Sequence, residues 1–378
     1  MPDPDAAPEG RDDRSPRRRS GRRPGPGPGA ATSGPSGTGA SPSGAPLYGA
    51  LDLGTNNCRL LMARPARDGF RVVDSFSRIV RLGEGLARTG RLDAAAMDRT
   101  YDALAHCAER IRKKGLAAER LTAVATQACR AAENGAEFVE RVRLGTGLDL
   151  RIIGAEEEAR LSVQGCLNLF DPRARAVLVI DVGGGSTELS WLEREGREMK
   201  TRAWMSAPLG VVTLAERHPE GEGGEGWFEA MVADMTAELR AGGAYRPELE
   251  ALRRSGASHL VGTSGAITSL AGIHLNLPRY QRDRVDGLWM TRKDCEAATL
   301  RLRGLGAEGR AAEACIGPNR ADLVLAGAAI MEAVQRAWPC ERVRVADRGL
   351  REGLLLERMR ADRKPSRRRR RRGKGGPV

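Results

Sequence analysis

The stretch V-L-V-I-D-V-G-G-G-S-T-E-L, Val177 to Leu189, decides the fold. Its first half is a continuous apolar run rich in β-branched residues, the pattern of a strand buried on both faces. Asp181 interrupts the run and Gly183-Gly184-Gly185 follows, so the strand ends in a carboxylate and a turn whose backbone amides no side chain shields. Ser186 and Thr187 add hydroxyls to the same turn. Such a loop suits phosphate oxygens, and the aspartate suits a magnesium ion beside them. The plainer reading of the same residues is a glycine-rich hairpin between two strands.

Working outward, the same logic recurs near the start of the chain. Leu47 to Leu61 reads L-Y-G-A-L-D-L-G-T-N-N-C-R-L-L: an apolar strand, Asp52, Gly54, the Thr55 hydroxyl, then Asn56, Asn57 and Arg59. Two turns of the form apolar-Asp-apolar-Gly, each followed by a return strand, predict a duplicated α/β domain with one phosphate loop in each half. A third turn, Gly262-Thr263-Ser264-Gly265, leaves a strand that begins at His259 and opens a helix.

These residues resemble a known family. The Asp-x-Gly loops and the third turn look like the actin-like ATPase superfamily, and more closely the exopolyphosphatase/guanosine pentaphosphate phosphohydrolase (Ppx/GppA) family. The motifs that carry the resemblance are D-L-G-T-N-N-C-R-L from Asp52, A-T-Q-A-C-R from Ala125, A-E-E-E-A-R-L from Ala155, I-D-V-G-G-G-S-T-E-L from Ile180, G-T-S-G from Gly262, R-V-D-G from Arg284 and A-D-R-G-L-R-E-G from Ala346. They follow one another in the family's order. One departure stands out: many relatives carry glutamate where this chain has Gln127.

Composition bounds the rest. The chain has 378 residues, 40% of them hydrophobic, enough for one large or two medium domains. No run of 18 apolar residues would span a bilayer, and no apolar stretch backs the N-terminal arginines as in a secretory signal. Seven dispersed cysteines without a C-x-x-C pair read as reduced thiols of a cytoplasmic protein. The four histidines show no ligand spacing. Residues 1–46, rich in Pro, Gly, Ser and Arg, and residues 363–378, with an unbroken Arg367–Arg372 run, are too poor in apolar side chains to fold. The last sixteen residues hold nine of the +13 net charge, so the basicity belongs to the ends and marks no nucleic-acid groove on the body.

Between the ends, strands are expected at 59–64 and 70–80, a helix capped by Asp93, a strand at 121–126, and a helix over 155–167 that opens with three glutamates. Judged by residue type alone, glutamates in a first helical turn answer the helix dipole. Arg130, judged the same way, either brackets a phosphate or pairs with an acid such as Glu133.

The resemblance implies an α/β fold of two actin-like, ribonuclease H-like domains with a cleft between them: domain I over 47–127 with a returning helix near 347–362, domain II over 128–346. It implies hydrolysis of the terminal phosphate of inorganic polyphosphate, guanosine pentaphosphate, or both. Glu158 first and Glu157 second would activate water, with Arg130 beside them. Gly54, Thr55, Asn56, Asn57 and Arg59, then Gly183, Gly184, Gly185, Ser186 and Thr187, then Gly262, Thr263, Ser264 and Gly265 would hold phosphates, and Asp52 and Asp181 would hold Mg2+. No membrane partner is implied. A homodimer, and an RNA or polyanion contact through the Arg367–Arg372 run, are further expectations about partners. The chain stops soon after the last motif, so the resemblance is to the short form without a C-terminal helical extension. Two other readings stay open: a kinase of the same superfamily, and a weakly active or non-catalytic binder of guanosine alarmones or polyphosphate, which Gln127 favours.

Overall fold

The two apolar runs that end in aspartate become the central strands of two mixed sheets. The first sheet contains β1 (Tyr48–Leu53), β2 (Asn57–Ala66), β3 (Gly69–Ile79), β4 (Leu121–Ala125) and β5 (Arg151–Ile152), in the order β3-β2-β1-β4-β5. The second contains β6 (Ala176–Val182), β7 (Thr187–Glu195), β8 (Glu198–Ala207), β9 (Ser258–Thr263), β10 (Trp289–Thr291) and β11 (Arg342–Ala346), in the order β10-β11-β9-β6-β7-β8. The computed structural model describes residues 44–67, 69–221 and 226–363. Apart from residues 44–46 and Arg363, the two ends expected to stay unfolded lie outside the described residues.

The duplication read from the loops holds for whole sheets. β1 pairs antiparallel with β2 and parallel with β4, and β6 pairs antiparallel with β7 and parallel with β9. The series β8-β7-β6-β9-β11 therefore repeats β3-β2-β1-β4-β5 in order and sense, with β10 added antiparallel at one edge. Both central strands are buried except at the aspartate, which is the one partly exposed position in each. A carboxylate among apolar neighbours is tolerated there because the strand ends at an opening.

Helix α1 (Ala94–Lys113) starts where Asp93 accepts a hydrogen bond from the Ala96 N–H, at 3.1 Å. It buries Ala103, Leu104, Cys107 and Ile111 against the first sheet. Residues past 127, expected in the second domain, pair with and pack on the first sheet. Helices α2 (Gln127–Ala131) and α3 (Gly135–Thr146) lead into β5, which pairs parallel with β4, and Phe138, Val142, Leu148 and Leu150 join the core of the first sheet. A parallel neighbour needs a crossover, and α2 and α3 are that crossover.

Two helices join the halves. In α4 (Ala155–Cys166), Leu161 packs with Tyr48 and Ala50 of β1, while Val163 and Cys166 pack with Val177 and Val179 of β6. The last helix, α9 (Leu350–Arg363), buries Leu350, Leu354, Leu355 and Met359 in the same cluster as Leu161. Helices α4 and α9 cross closely because two glycines face backbone: a Cβ on Gly165 would lie 2.0 Å from the Gly349 carbonyl oxygen, and one on Gly353 2.1 Å from that of Leu161. All seven cysteines are free and buried. No described helix is long and apolar enough to cross a membrane.

Candidate active site

The loops that follow β1 and β6 close in the same way. Gly54 N–H donates to the Asn57 carbonyl at 2.9 Å, and Gly183 N–H donates to the Ser186 carbonyl at 2.9 Å. Each loop is thus a four-residue turn at the end of a buried strand, and the glycine-rich stretch is both a hairpin and a candidate phosphate loop. The two turns meet across the cleft: a methyl group on Gly184 would lie 2.9 Å from Thr55 Cβ, and one on Gly185 would lie 3.0 Å from Thr55 Oγ1. None of Gly183, Gly184 and Gly185 has positive φ. For Gly184 and Gly185, close approach between loops accounts for glycine, and backbone freedom does not. Val211 and Val212, at the start of α5 (Val211–Arg217), donate backbone hydrogen bonds to the Gly183 and Gly184 carbonyls at 3.0 and 2.8 Å and hold the second turn from behind.

A cleft of about 430 Å³ opens above the turns, within the range for small-molecule sites. Gly54, Thr55, Asn56, Asn57 and Arg59 line it from the first sheet, and Gly183, Gly184, Gly185 and Ser186 from the second. The third turn adds Thr263, Ser264 and Gly265 ahead of α7 (Gly265–His274). Three buried side-chain oxygens here find no partner: Asn56 Oδ1, Asn57 Oδ1 and Ser264 Oγ. Unpaired buried polar atoms are costly, so their clustering marks a place for a polar ligand.

Acids form the floor. In β1, Asp52 stands directly opposite Arg59 of β2; in the second sheet, Asp181 stands directly opposite Glu188 of β7. Like charges in that position repel. Burial raises the Asp52 carboxyl to about 6, against the pull of Arg59 and Arg351. Burial and the Asp181 charge raise Glu188 to about 7, although Ser206 donates to it at 2.8 Å. Asp181 is also raised, chiefly by burial, while the Ser162 hydroxyl donates to it and pulls the other way.

Glu158 is buried in the first turn of α4, and its carboxyl is held well above the usual range by burial first and by Glu188 second. Arg130 opposes that shift. Its Nη1 donates to Glu158 Oε2 at 3.1 Å and to the Ile153 carbonyl at 2.6 Å, and its Nη2 donates to Gln127 Oε1 at 2.6 Å. A buried carboxylate that stays basic and is oriented by a guanidinium has the properties of a proton acceptor.

Several expected residues sit elsewhere. Glu157 turns outward to pair with Arg151 at 2.7 Å, because one helical residue rotates a side chain by about a quarter of a turn. Arg130 does not line the cleft to bracket a phosphate, and its partner is Glu158; Glu133 pairs with Arg91 instead. Thr187 is buried at the start of β7 with its hydroxyl donating to the Leu209 carbonyl at 2.7 Å. Gly262 lies inside β9, where it makes room for Ile267. Neither residue lines the cleft.

Sequence reasoning missed Glu188, Arg320 and Tyr280. Glu188 was legible in principle, since period two places it opposite Asp181 once the hairpin is granted. Arg320 and Tyr280 line the cleft from loops whose path only packing decides. The R-V-D-G and A-D-R-G motifs brace each other: Asp286 accepts from the Asp347 N–H at 3.0 Å and pairs with Arg348, while Arg282 pairs with Asp347 and Glu352.

A model of the Ppx/GppA phosphatase family matches residues 61–362, from within β2 to the last helix. A Ppx/GppA family member from Aquifex aeolicus superposes with a TM-score of 0.69 at 27% identity, over 85% of this chain and 99% of that one. A solved exopolyphosphatase-like protein superposes with a TM-score of 0.72 at 27% identity, over 83% of this chain and 97% of its own. An exopolyphosphatase from Cytophaga hutchinsonii gives a TM-score of 0.73 at 21% identity, over 83% of this chain and 98% of that one, a likeness that bears on the fold alone.

Proposed function

Since the chain belongs to the Ppx/GppA phosphatase family and has its two-sheet, actin-like fold, we propose that it removes the terminal phosphate of inorganic polyphosphate or guanosine pentaphosphate by in-line attack of water. The observation that carries this reading is Glu158, a buried carboxylate of raised basicity that Arg130 orients at the edge of a cleft lined by two phosphate loops. The backbone amides of the Gly54 and Gly183 turns would bind the terminal phosphate, with Arg59 beside them offering a guanidinium that makes no ion pair among the described residues. Glu158 would take a proton from water placed opposite the bridging oxygen, and the loops would hold that geometry through the transition state.

The acidic floor fits a divalent cation. Asp181 and Glu188 face each other at one register position, and Asp52 lies close enough for Asp181 to raise its pKa. No three His, Cys, Asp or Glu groups among the described residues form a ready-made cage. That arrangement suits Mg2+, which keeps several waters and binds through one or two carboxylates and the substrate's phosphates. Asp52 and Asp181 would hold the ion, which when bound neutralises phosphate oxygens that otherwise meet a negative floor.

Inorganic phosphate release from long-chain polyphosphate and from guanosine pentaphosphate, measured side by side with Mg2+, tests the proposal. Release from at least one is expected. Binding without release from either would instead support an alarmone or polyphosphate binder.

A further inference from the structure

Helix α4 carries three hydrogen-bonding side chains at intervals of four, and each meets a different part of the chain. Glu158 pairs with Arg130, the Ser162 hydroxyl donates to Asp181 Oδ2, and Cys166 Sγ donates to the Arg348 carbonyl at 3.3 Å. Residues four apart share one helix face, so a single stripe of α4 touches three stretches that are distant in sequence. The motif A-E-E-E-A-R-L, which carries the resemblance, ends at Leu161, one residue short of Ser162.

Ser162 is 1% exposed, with Leu161 and Val163 buried on either side of it. A buried hydroxyl inside a helix ordinarily donates to the carbonyl four residues back, as Thr100 does to Ala96 at 2.7 Å. Ser162 donates instead to the end of β6, in another element. Its partner is the aspartate in the less favourable setting. Asp52 of β1 stands opposite a guanidinium, Arg59, but Asp181 stands opposite another carboxylate, Glu188. Glu188 has a serine of its own, Ser206, which donates to it at 2.8 Å. Among the described residues, Ser162 is the one side chain that donates to Asp181, and it occupies one of the two carboxylate oxygens. The last torsion of an aspartate is soft, so a fixed donor on Oδ2 decides where Oδ1 lies.

We propose that Ser162 is a positioning residue for divalent-cation binding: it holds Asp181 Oδ2, leaves Oδ1 for the ion, and ties that carboxylate to the helix that carries Glu158. This inference rests on the preceding reading in taking Asp181 as a ligand of Mg2+. A hydroxyl suits the task because it orients a carboxylate without cancelling the charge that attracts the cation, as a lysine or arginine there would. Hydrogen-bond donors behind a metal-binding group typically set its affinity by tenfold or more.

The test is calorimetric titration of Mg2+ into the metal-free full chain, alongside thermal melts of the same samples in chelator. Ser162→Ala should weaken Mg2+ binding about tenfold, by no more than Asp181→Asn does, and should add less than twofold once Asp181 is already Asn. Thr100→Val removes a buried helix hydroxyl that has no carboxylate partner, and it should leave Mg2+ affinity within about twofold of wild type. The melts separate positioning from packing: a Ser162→Ala chain that loses stability in chelator but binds Mg2+ as wild type does overturns the proposal. Fully additive losses for Ser162→Ala and Asp181→Asn overturn it too, as does a Thr100→Val loss equal to that of Ser162→Ala. If Asp181→Asn weakens Mg2+ binding and Ser162→Ala does not, the metal reading stands and this inference alone falls. If Asp181→Asn leaves Mg2+ affinity unchanged, or the wild-type chain binds no Mg2+, both fall.

Discussion

At the scale of single residues, the chemistry turns on how Arg130 divides its donors. It serves the Ile153 carbonyl, Gln127 and Glu158 at once, and of these only Glu158 competes for its charge. Replacing Glu158 by Gln keeps the shape and removes the proton acceptor, so kcat should fall about 100-fold or more in a protein that still folds. Retention of more than a tenth of wild-type kcat would exclude Glu158 as the base. Gln127→Glu tests the division itself. A second carboxylate on Arg130 draws off the charge that lowers the Glu158 pKa, so Glu158 should ionise at higher pH. The acid limb of the kcat/KM profile should move upward, with rates lost mainly on the acid side. An acid limb that stays in place or moves down would show that Arg130 does not set the basicity of Glu158.

At the scale of elements, the β6–β7 pair carries a conflict that folding alone does not resolve. Glu188 titrates near 7 in the folded chain, against 4.5 for an unperturbed glutamate. A pKa raised on folding gives stability that is present below the unfolded value and lost as pH rises through the folded one. Metal-free wild-type protein should therefore lose stability between about pH 4.5 and 7, by an amount on the order of a few kcal/mol for a shift of this size. Glu188→Gln should lack that loss, so its Tm should exceed that of wild type at pH 8 and match it near pH 4.5. Parallel Tm-against-pH curves would refute a Glu188 carboxyl raised by burial and by the Asp181 charge. If Asp181 helps hold Mg2+, then Asp181→Asn should raise the Mg2+ concentration needed for half-maximal thermal stabilisation severalfold or more. An unchanged midpoint would make Asp181 a structural turn residue.

At the scale of the whole molecule, charge and chemistry are separated along the chain. The described body is close to neutral, while residues 363–378 hold nine positive charges and no acid. A polycation tethered to a phosphatase would gather polyanionic substrate by raising its local concentration, without touching the transition state. Deleting residues 364–378 should then raise KM for long polyphosphate and leave kcat nearly unchanged. Added salt should remove the difference, since such contacts release counterions, and guanosine pentaphosphate should respond less. Equal constants for both forms at low salt would assign the run another purpose, such as RNA contact.

The sequence by itself determined the two central strands, the aspartate that ends each, the duplicated turn and the helix carrying Glu158. These are local properties: apolar runs, strand period and turn chemistry act within a few residues. Tertiary structure decided what those elements face. Glu157 and Glu158 are adjacent in sequence, yet one meets Arg151 at the surface and the other meets Arg130 at the cleft. Gly184 and Gly185 look like turn glycines, but they are required by contact with Thr55, some 130 residues earlier in the chain. The resemblance put residues 128–152 in a second domain, and only the pairing of the short strand β5 with β4 assigns it to the first sheet. Local rules place an atom on a strand or helix; which atom it meets across the cleft depends on how two sheets and the helices between them pack.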